Sequence, residues 1–360
     1  MERVTGEQFG ALSGARILIT GDTGFKGGWT AEWLMALGAD VIGFALPPEG
    51  PDPLFNRLRL VERIDHRDGD LRDFDAVQTA IAETRPDAVI HMAAQSLVLT
   101  GYAEPKTTFD TNVAGSVNLL EALRATTGVR ALIYVTSDKV YRDGGAMDGC
   151  EESDPLGGED PYSASKAAAE MVFEAYDRSY FARRDDFGAV SVRAGNVIGG
   201  GDWAENRIVP DCIRALRDGS PITLRNPTAI RPWQHVLEPL SGYLRLAAML
   251  LENPASVSGA WNFGPERDDM RPVRDLAERV RDCWGGGEII ERPDPDAPPE
   301  APLLFLDSTK ARNGLGWRPQ WNFDAMNAET VAWYKQVIEG ADPVAVTGTQ
   351  IESYMENEND

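Results

Sequence analysis

The stretch RILITGDTGFKGGW, residues 16–29, leaves this chain few folds to choose from. A short apolar run, Arg16–Thr20, breaks into Gly21, Gly24 and Gly27 and passes at once into the helix-like TAEWLMALG. Strand, glycine turn and helix form the unit that lets a backbone approach a pyrophosphate. Glycines permit the tight turn and the close packing, and the helix N-terminus attracts the anion. The chain holds 35 glycines, so the spacing alone decides little. Its position after a strand and before a helix is what points to dinucleotide binding.

The alternation continues along the chain. Arg16–Thr20, Val41–Leu46, Ala88–Met92, Ala131–Thr136 and Ala189–Arg193 are short, apolar and bounded by turn residues. Such continuous runs suit strands covered on both faces of a parallel sheet. Trp29–Leu37, Asp73–Thr84, Thr108–Ala125 and Ser163–Phe181 lie between them, with apolar residues at helical spacing. The fold class expected is α/β, a Rossmann-type doubly wound parallel sheet. It should occupy residues 1–196. Beyond 196 the turns multiply, and a second, smaller region is expected from 197–229 and 264–345, with segments near 230–263 (Pro232–Leu250 and Ala260–Phe263) returning to the sheet. PDPDAPPEAP at 293–302 reads as a surface loop, and 346–360 as a C-terminal tail frayed at ENEND.

A formal charge of −22 weighs against a nucleic-acid partner, because phosphate backbones bind basic faces. No apolar run approaches the roughly 18 residues of a membrane span, and MERVTGEQFG lacks the pattern of a signal peptide. Cys150, Cys212 and Cys283 form no CxxC pair, which argues against a disulfide framework or a metal site and fits a reducing cytoplasm.

PYSASK sets Tyr162 and Lys166 four apart at a helix start, hence on one face. An ammonium or a nicotinamide cation beside a phenol favours the phenolate, and the pair can then take a hydroxyl proton while hydride leaves for a cofactor. A second YxxxK, Tyr102 to Lys106, contains Pro105 and should not form such a face. The strand before Tyr162 ends VTSDKVY, bringing Ser137, Asp138 and Lys139 to the sheet edge where α/β proteins bind ligands. The second strand ends GFALPPEG, with neither an acid nor a base in the obvious position, and the lack of a base favours NAD over NADP. Asp70, in GDLRD after the third strand, is either an adenine acceptor or a helix cap.

From about Arg16 to Tyr334 these stretches resemble the extended short-chain dehydrogenase/reductase family, and within it the CDP-glucose 4,6-dehydratase type. TGDTGFKGGW, VTSDKVY and DPYSASK carry the catalytic half of the likeness; RAGNVIGGGDWAENRIVPDCIRA at 193–215 and RNPTAIRPWQHVLEPLSGYL at 225–244 are the more distinctive blocks. The resemblance implies an N-terminal NAD domain, a smaller sugar-nucleotide domain, a homodimer, and NAD regenerated in each turnover. It implies that Tyr162 takes the 4-hydroxyl proton, Lys166 holds the nicotinamide ribose and Ser137 bonds the 4-oxygen, with Asp138 the candidate acid for the leaving 6-hydroxyl and Lys139 either the base at C5 or a stabiliser of the enolate while another group takes the proton. It extends the cofactor set to Gly21, Thr23, Gly24, Phe25, Gly27, Asp70, Leu71, Ala93 and Ala94. Gln95, Asn196, Arg207 and Arg231 become substrate-binding residues, the arginines suiting a diphosphate. The chain departs from the subgroup in SLVLTGY after HMAAQ, where a proline and two arginines are usual, in Val140 for cysteine, and in Asp22 for histidine. An acid at 22, near a pyrophosphate, is expected to weaken or reorient the cofactor. The rival readings are a dehydratase of another nucleotide sugar, a sugar-nucleotide 4-epimerase needing Tyr162 and Lys166 but not Asp138 and Lys139, and a non-catalytic NAD(P) sensor.

Overall fold

The computed structural model describes residues 6–50, 52–142, 149–293 and 304–358. Seven strands form one parallel sheet: β1 (Arg16–Thr20), β2 (Asp40–Ala45), β3 (Asp65–Asp68), β4 (Ala88–His91), β5 (Ala131–Val135), β6 (Gly188–Arg193) and, at the far edge, Gly259–Asn262. The order is Gly259–Asn262, β6, β5, β4, β1, β2, β3. The chain therefore winds outward from β1 to β3, crosses back to β4 beside β1, and winds outward again. The switch point lies between the carboxyl ends of β1 and β4, where Thr20 is in register with His91.

The strands are apolar throughout because both faces are covered. Ile17, Ile19, Ile90, Ile133 and Val135 face one layer, whereas Leu18, Val89, Leu132 and Tyr134 face the other. The first layer holds the helices Phe25–Ala36 and Leu237–Glu252; the second holds Phe74–Thr84, Gly115–Ala125 and Pro161–Ser179. Four of the expected apolar runs continue one residue past the strand that forms, or start one late; β1 matches its run end to end. β3, with the sequence DHRD, carries no apolar run at all.

Of the returning segments, Gly259–Asn262 joins the sheet beside β6. The stretch from Pro232 contributes instead a two-residue strand, Gln234–His235, paired with Val197–Ile198 outside the main sheet, and the helix Leu237–Glu252. Small ribbons follow: Ile230–Pro232 antiparallel with Met270–Pro272, and Ile222–Leu224 parallel with Ile289–Glu291. The helices Ile208–Arg217, Val273–Trp284 and Phe323–Ile338 pack around them. All but Pro293 of the expected loop at 293–302 lies outside the described residues. The stretch set down as a tail is helical from Pro343 to Glu358, with Ile351, Tyr354 and Met355 buried. No helix among the described residues is long and apolar enough to cross a membrane.

Candidate active site

At the switch point the loop after β1 meets the end of β4. Gly21 has φ +82°, and a Cβ there would stand 2.8 Å from Ala93 N. A Cβ on Gly27 would collide with Gly21 O. These are the turn and the close approach that glycine permits, and they set the N-terminus of the helix Phe25–Ala36 over the crevice. The Thr20 hydroxyl oxygen accepts from Met92 N and Ala93 N at 3.2 Å, so its own proton goes to His91 Nδ1, 2.7 Å away. Burial, with the Lys166 charge adding to it, holds His91 neutral by lowering its pKa to about 3. Thr23 donates to Leu46 O at 3.0 Å and ties the loop to the end of β2. A glycine turn that admits no Cβ at Gly21 or Gly27, at the switch point of a doubly wound sheet, fits a dinucleotide.

Asp22 does not face that cradle. Its carboxylate is fully buried behind Gly43, where a Cβ would strike it, and Oδ2 bonds His66 Nδ1 at 2.7 Å. Burial of His66 opposes its protonation, but the bonds to Asp22 and Asp68 outweigh it and raise its pKa. The expected weakening or reorienting of the cofactor by Asp22 finds no support in this geometry: the acid is turned toward the sheet and bonded to His66.

Asp70 follows β3 and is held by Arg72, at 2.6 Å between Oδ2 and the guanidinium, which lowers its pKa. The side chain of Leu71 packs beside Gly115, and its carbonyl accepts from Asn118 at 3.0 Å. Ala94 sits one residue beyond Ala93 at the end of β4. Gln95 is engaged within the chain: Nε2 donates to Thr108 Oγ1 at 2.8 Å and Oε1 accepts from Leu97 N.

The second half of the crevice comes from the end of β5 and the helix Pro161–Ser179. Asp160 caps that helix, accepting from Tyr162 N at 2.9 Å and Ser163 N at 3.0 Å, which fixes the turn that carries Tyr162. Ser137 donates to Asp138 Oδ1 at 2.9 Å and accepts from Lys139 N at 3.2 Å. Gly195, at the end of β6, lacks the Cβ that would strike the Asp138 carboxylate, and Asn196, at φ +51°, reaches Asp138 Oδ2 at 3.4 Å. Tyr162, Lys166, Ser137 and Asp138 are all buried. Lys139 sits half-buried on the 3-10 turn Asp138–Val140.

Burial pushes the Tyr162 phenol up to about 12; Ser137 and Arg207 pull it down, while Asp138 and Asp160 push it further up. Burial and the neighbouring Lys26 lower Lys166 to about 8, with Glu170 opposing. Arg207 caps the helix Ile208–Arg217 and reaches Asp202 at 2.8 Å and Ser96 at 3.2 Å. Arg231 lies on the ribbon strand Ile230–Pro232 opposite Arg271, bonded to Ile230 O at 2.9 Å. The structure thus brings the glycine loop, Ser137, Asp138, Tyr162, Lys166, Asn196 and Arg207 together. The other YxxxK does not assemble: Tyr102 is exposed on a separate short helix, and Lys106 pairs with Asp110.

Two residues escaped the sequence reading. Lys26, in the first turn of the glycine-loop helix, feels the charges of Asp138 and Arg207, and burial lowers it to about 8. Its signal was a cation inside GFKGG. Asn112 sits in a widened turn, Asp110–Ala114, where one long helix was expected. The widening lets its buried side chain bond both Gln95 O and Ser165 Oγ at 2.9 Å, tying the β4 end to the Tyr162 helix. An asparagine inside a helical stretch was the only signal there.

Residues 17–264 match the model of the NAD dependent epimerase/dehydratase family. The CDP-glucose 4,6-dehydratase of Salmonella typhimurium is 42% identical over 95% of this chain and 96% of its own length. Among solved structures, a UDP-glucose 4-epimerase of Thermus thermophilus in complex with NAD covers 89% of this chain and 99% of its own at 29% identity and TM-score 0.76. A dTDP-glucose 4,6-dehydratase of Streptomyces venezuelae, with NAD bound, covers 91% and 99% at 26% identity and TM-score 0.76.

Proposed function

Because the chain belongs to the NAD dependent epimerase/dehydratase family, we propose that it is an NAD-dependent 4,6-dehydratase that converts CDP-glucose to CDP-4-keto-6-deoxyglucose. The observation that carries this reading is Asp138, buried and bonded to Ser137 beside Tyr162, in a chain 42% identical to a CDP-glucose 4,6-dehydratase. An epimerase needs Tyr162 and Lys166 alone; elimination needs an acid beside them, and this chain has one.

Gly21, Thr23, Gly24, Phe25 and Gly27 would hold the pyrophosphate half of NAD, Asp70, Leu71, Ala93 and Ala94 its adenosine side, and Lys166 the nicotinamide ribose. NAD, when bound, supplies the hydride acceptor for C4 and the hydride for C6. The phenolate of Tyr162 takes the proton of the 4-hydroxyl, with Ser137 bonding the 4-oxygen. At about 12 the buried phenol is a weak source of phenolate, so the Lys166 ammonium and the positive charge of the bound cofactor must favour it. The 4-keto group acidifies C5–H, Lys139 takes that proton, and Asp138 protonates the departing 6-hydroxyl. Arg207 and Arg231 hold the diphosphate, Asn196 the bridge beside it and Gln95 the sugar, once Gln95 gives up its internal bonds. The N-terminal sheet is the cofactor domain and the later ribbons and helices the substrate domain. The reading includes a homodimer in the cytoplasm that supplies deoxysugars for lipopolysaccharide, and three free cysteines suit that compartment.

The test is a panel of CDP-, dTDP-, GDP- and UDP-glucose with added NAD, read by alkali-induced absorbance and by the mass of one lost water. Water loss from CDP-glucose alone is the expected result, with Tyr162→Phe reducing the rate at least a thousandfold. Water loss from a different member moves the substrate and keeps the chemistry. Interconversion of glucose and galactose forms without water loss returns the case to an epimerase.

A further inference from the structure

The dehydration has a proton sum that its residues must close. Hydride is borrowed at C4 and returned at C6, so it cancels. The group that takes the C5 proton gives one back to C5 after C6 is reduced, so it ends as it began. Tyr162 and Asp138 do not. Tyr162 has gained the proton of the 4-hydroxyl, and Asp138 has lost the proton that left in water. A second turnover needs one proton moved from the tyrosine to the aspartate.

Resting on the dehydratase reading, we propose that Ser137 carries that proton: the Tyr162 hydroxyl donates to Ser137 Oγ, the Ser137 hydroxyl donates to Asp138 Oδ1, and one shift along both bonds resets the site. The Tyr162 O–H bond breaks as a new Ser137 O–H bond forms. The old Ser137 O–H bond breaks as the proton joins Asp138 Oδ1. A phenol and a carboxylate become a phenolate and a carboxylic acid, and no electrons are transferred between molecules.

The surroundings of Ser137 support this. Ser137 Oγ lies 2.9 Å from Asp138 Oδ1, and a carboxylate can only accept, so the single serine proton is committed to it. The serine oxygen then accepts from Lys139 N at 3.2 Å, and the interaction of Ser137 with the Tyr162 oxygen, which favours the phenolate the reset must leave behind, is the strongest influence lowering that pKa. Tyr162, Ser137 and Asp138 are 7%, 5% and 3% exposed, so bulk water is a poor substitute for the wire. Asn196 and the bare face of Gly195 hold the carboxylate in position. The charges around it also suit a shuttle. Lys26 faces Asp138, Arg207 faces both Lys26 and Tyr162, and Asp160 is the further acid near the phenol. Moving the proton transfers one negative charge from one end of the chain of bonds to the other and leaves the total unchanged.

The experiment follows water loss in rapid-quench mode with the full-length enzyme, NAD and the nucleotide sugar that the unaltered enzyme dehydrates. Ser137→Ala, Ser137→Thr and the unaltered enzyme are compared over rising imidazole concentration at fixed pH and ionic strength, each after its NAD affinity has been measured. Ser137→Ala should lose one water per active site and then slow at least tenfold, the slow rate rising with buffer as an outside acid replaces the wire. Ser137→Thr, which keeps the hydroxyl, should show neither the break nor the buffer dependence. Should the alanine variant fail to fold, Ser137→Cys, a poor relay of similar size, should give the same slow phase. A truncated variant whose first and later turnovers run at one rate, or whose slow phase ignores buffer, overturns the relay alone. An unaltered enzyme that dehydrates no nucleotide sugar overturns the reading beneath it as well.

Discussion

Lys166 shows what a buried cation costs at the scale of one residue. Burial holds its ammonium at about 8 against an ordinary 10.5, so the unfolded chain binds the more protons between those values. The sign follows: the penalty is full below about pH 8, and relief arrives as pH climbs to 10.5. Replacing the charge with an apolar chain, Lys166→Met, should abolish turnover yet raise the melting temperature of the cofactor-free protein by a few degrees at pH 7. The gain should shrink by pH 10, which thermal melts at both pH values would check. Tyr162 and Lys166 were legible because their spacing on a helix is a local fact. Asp22 was not: its meaning lies in His66, 44 residues away and on another strand. Lys26 was passed over for a similar reason, since nothing in GFKGG says that Asp138 and Arg207 will stand beside it.

Among the elements, the short helix Val98–Ala103 and the helix Pro161–Ser179 are the pair to test. They touch through Gly101, where a Cβ would lie 3.2 Å from both Tyr162 N and Tyr162 Cβ. The SLVLTGY stretch therefore reaches Tyr162 through its backbone. Gly101→Val should push the Tyr162 turn away, lowering kcat about a hundredfold while NAD affinity stays within a factor of two or three. Steady-state kinetics beside a binding titration would separate the two effects, and an equal loss of affinity would refute the argument. At this scale the sequence was most readable where a strand is apolar on both sides, as in β1, β4 and β5. It was least readable at the sheet edge, where β3 is entirely polar and half in solvent. The widened turn at Asp110–Ala114 was hidden too, because helical periodicity runs through it.

In the whole molecule, the C-terminal helix is bolted to the N-terminal half. Trp33 packs edge-on against Tyr354 with ring centroids 5.6 Å apart, and its indole nitrogen reaches the sulfur of Met355. The Tyr354 hydroxyl donates to Glu238, a buried carboxylate that also accepts from Gln320 N at 3.0 Å and Trp321 N at 2.8 Å. Ending the chain after Ala341 would remove Tyr354 from Trp33 and from Trp321, whose ring lies 5.3 Å from it, and take one donor from Glu238. Each fully buried aromatic or aliphatic side chain so uncovered costs on the order of 1.5–3 kcal/mol. The shortened protein should melt at least ten degrees lower and bind the dye ANS, with NAD failing to restore its stability. An unchanged melt would mean that the helix is only attached.

Because the last helix leans on the first, synthesis imposes an order on folding. When Trp33 leaves the ribosome, Tyr354 and Met355 are more than 300 residues from being made, and these contacts close only once that length of chain has followed. A chain that stops short of Tyr354 therefore leaves the Trp33 face of its first helix uncovered, a surface that chaperones and proteases can tell from the finished fold.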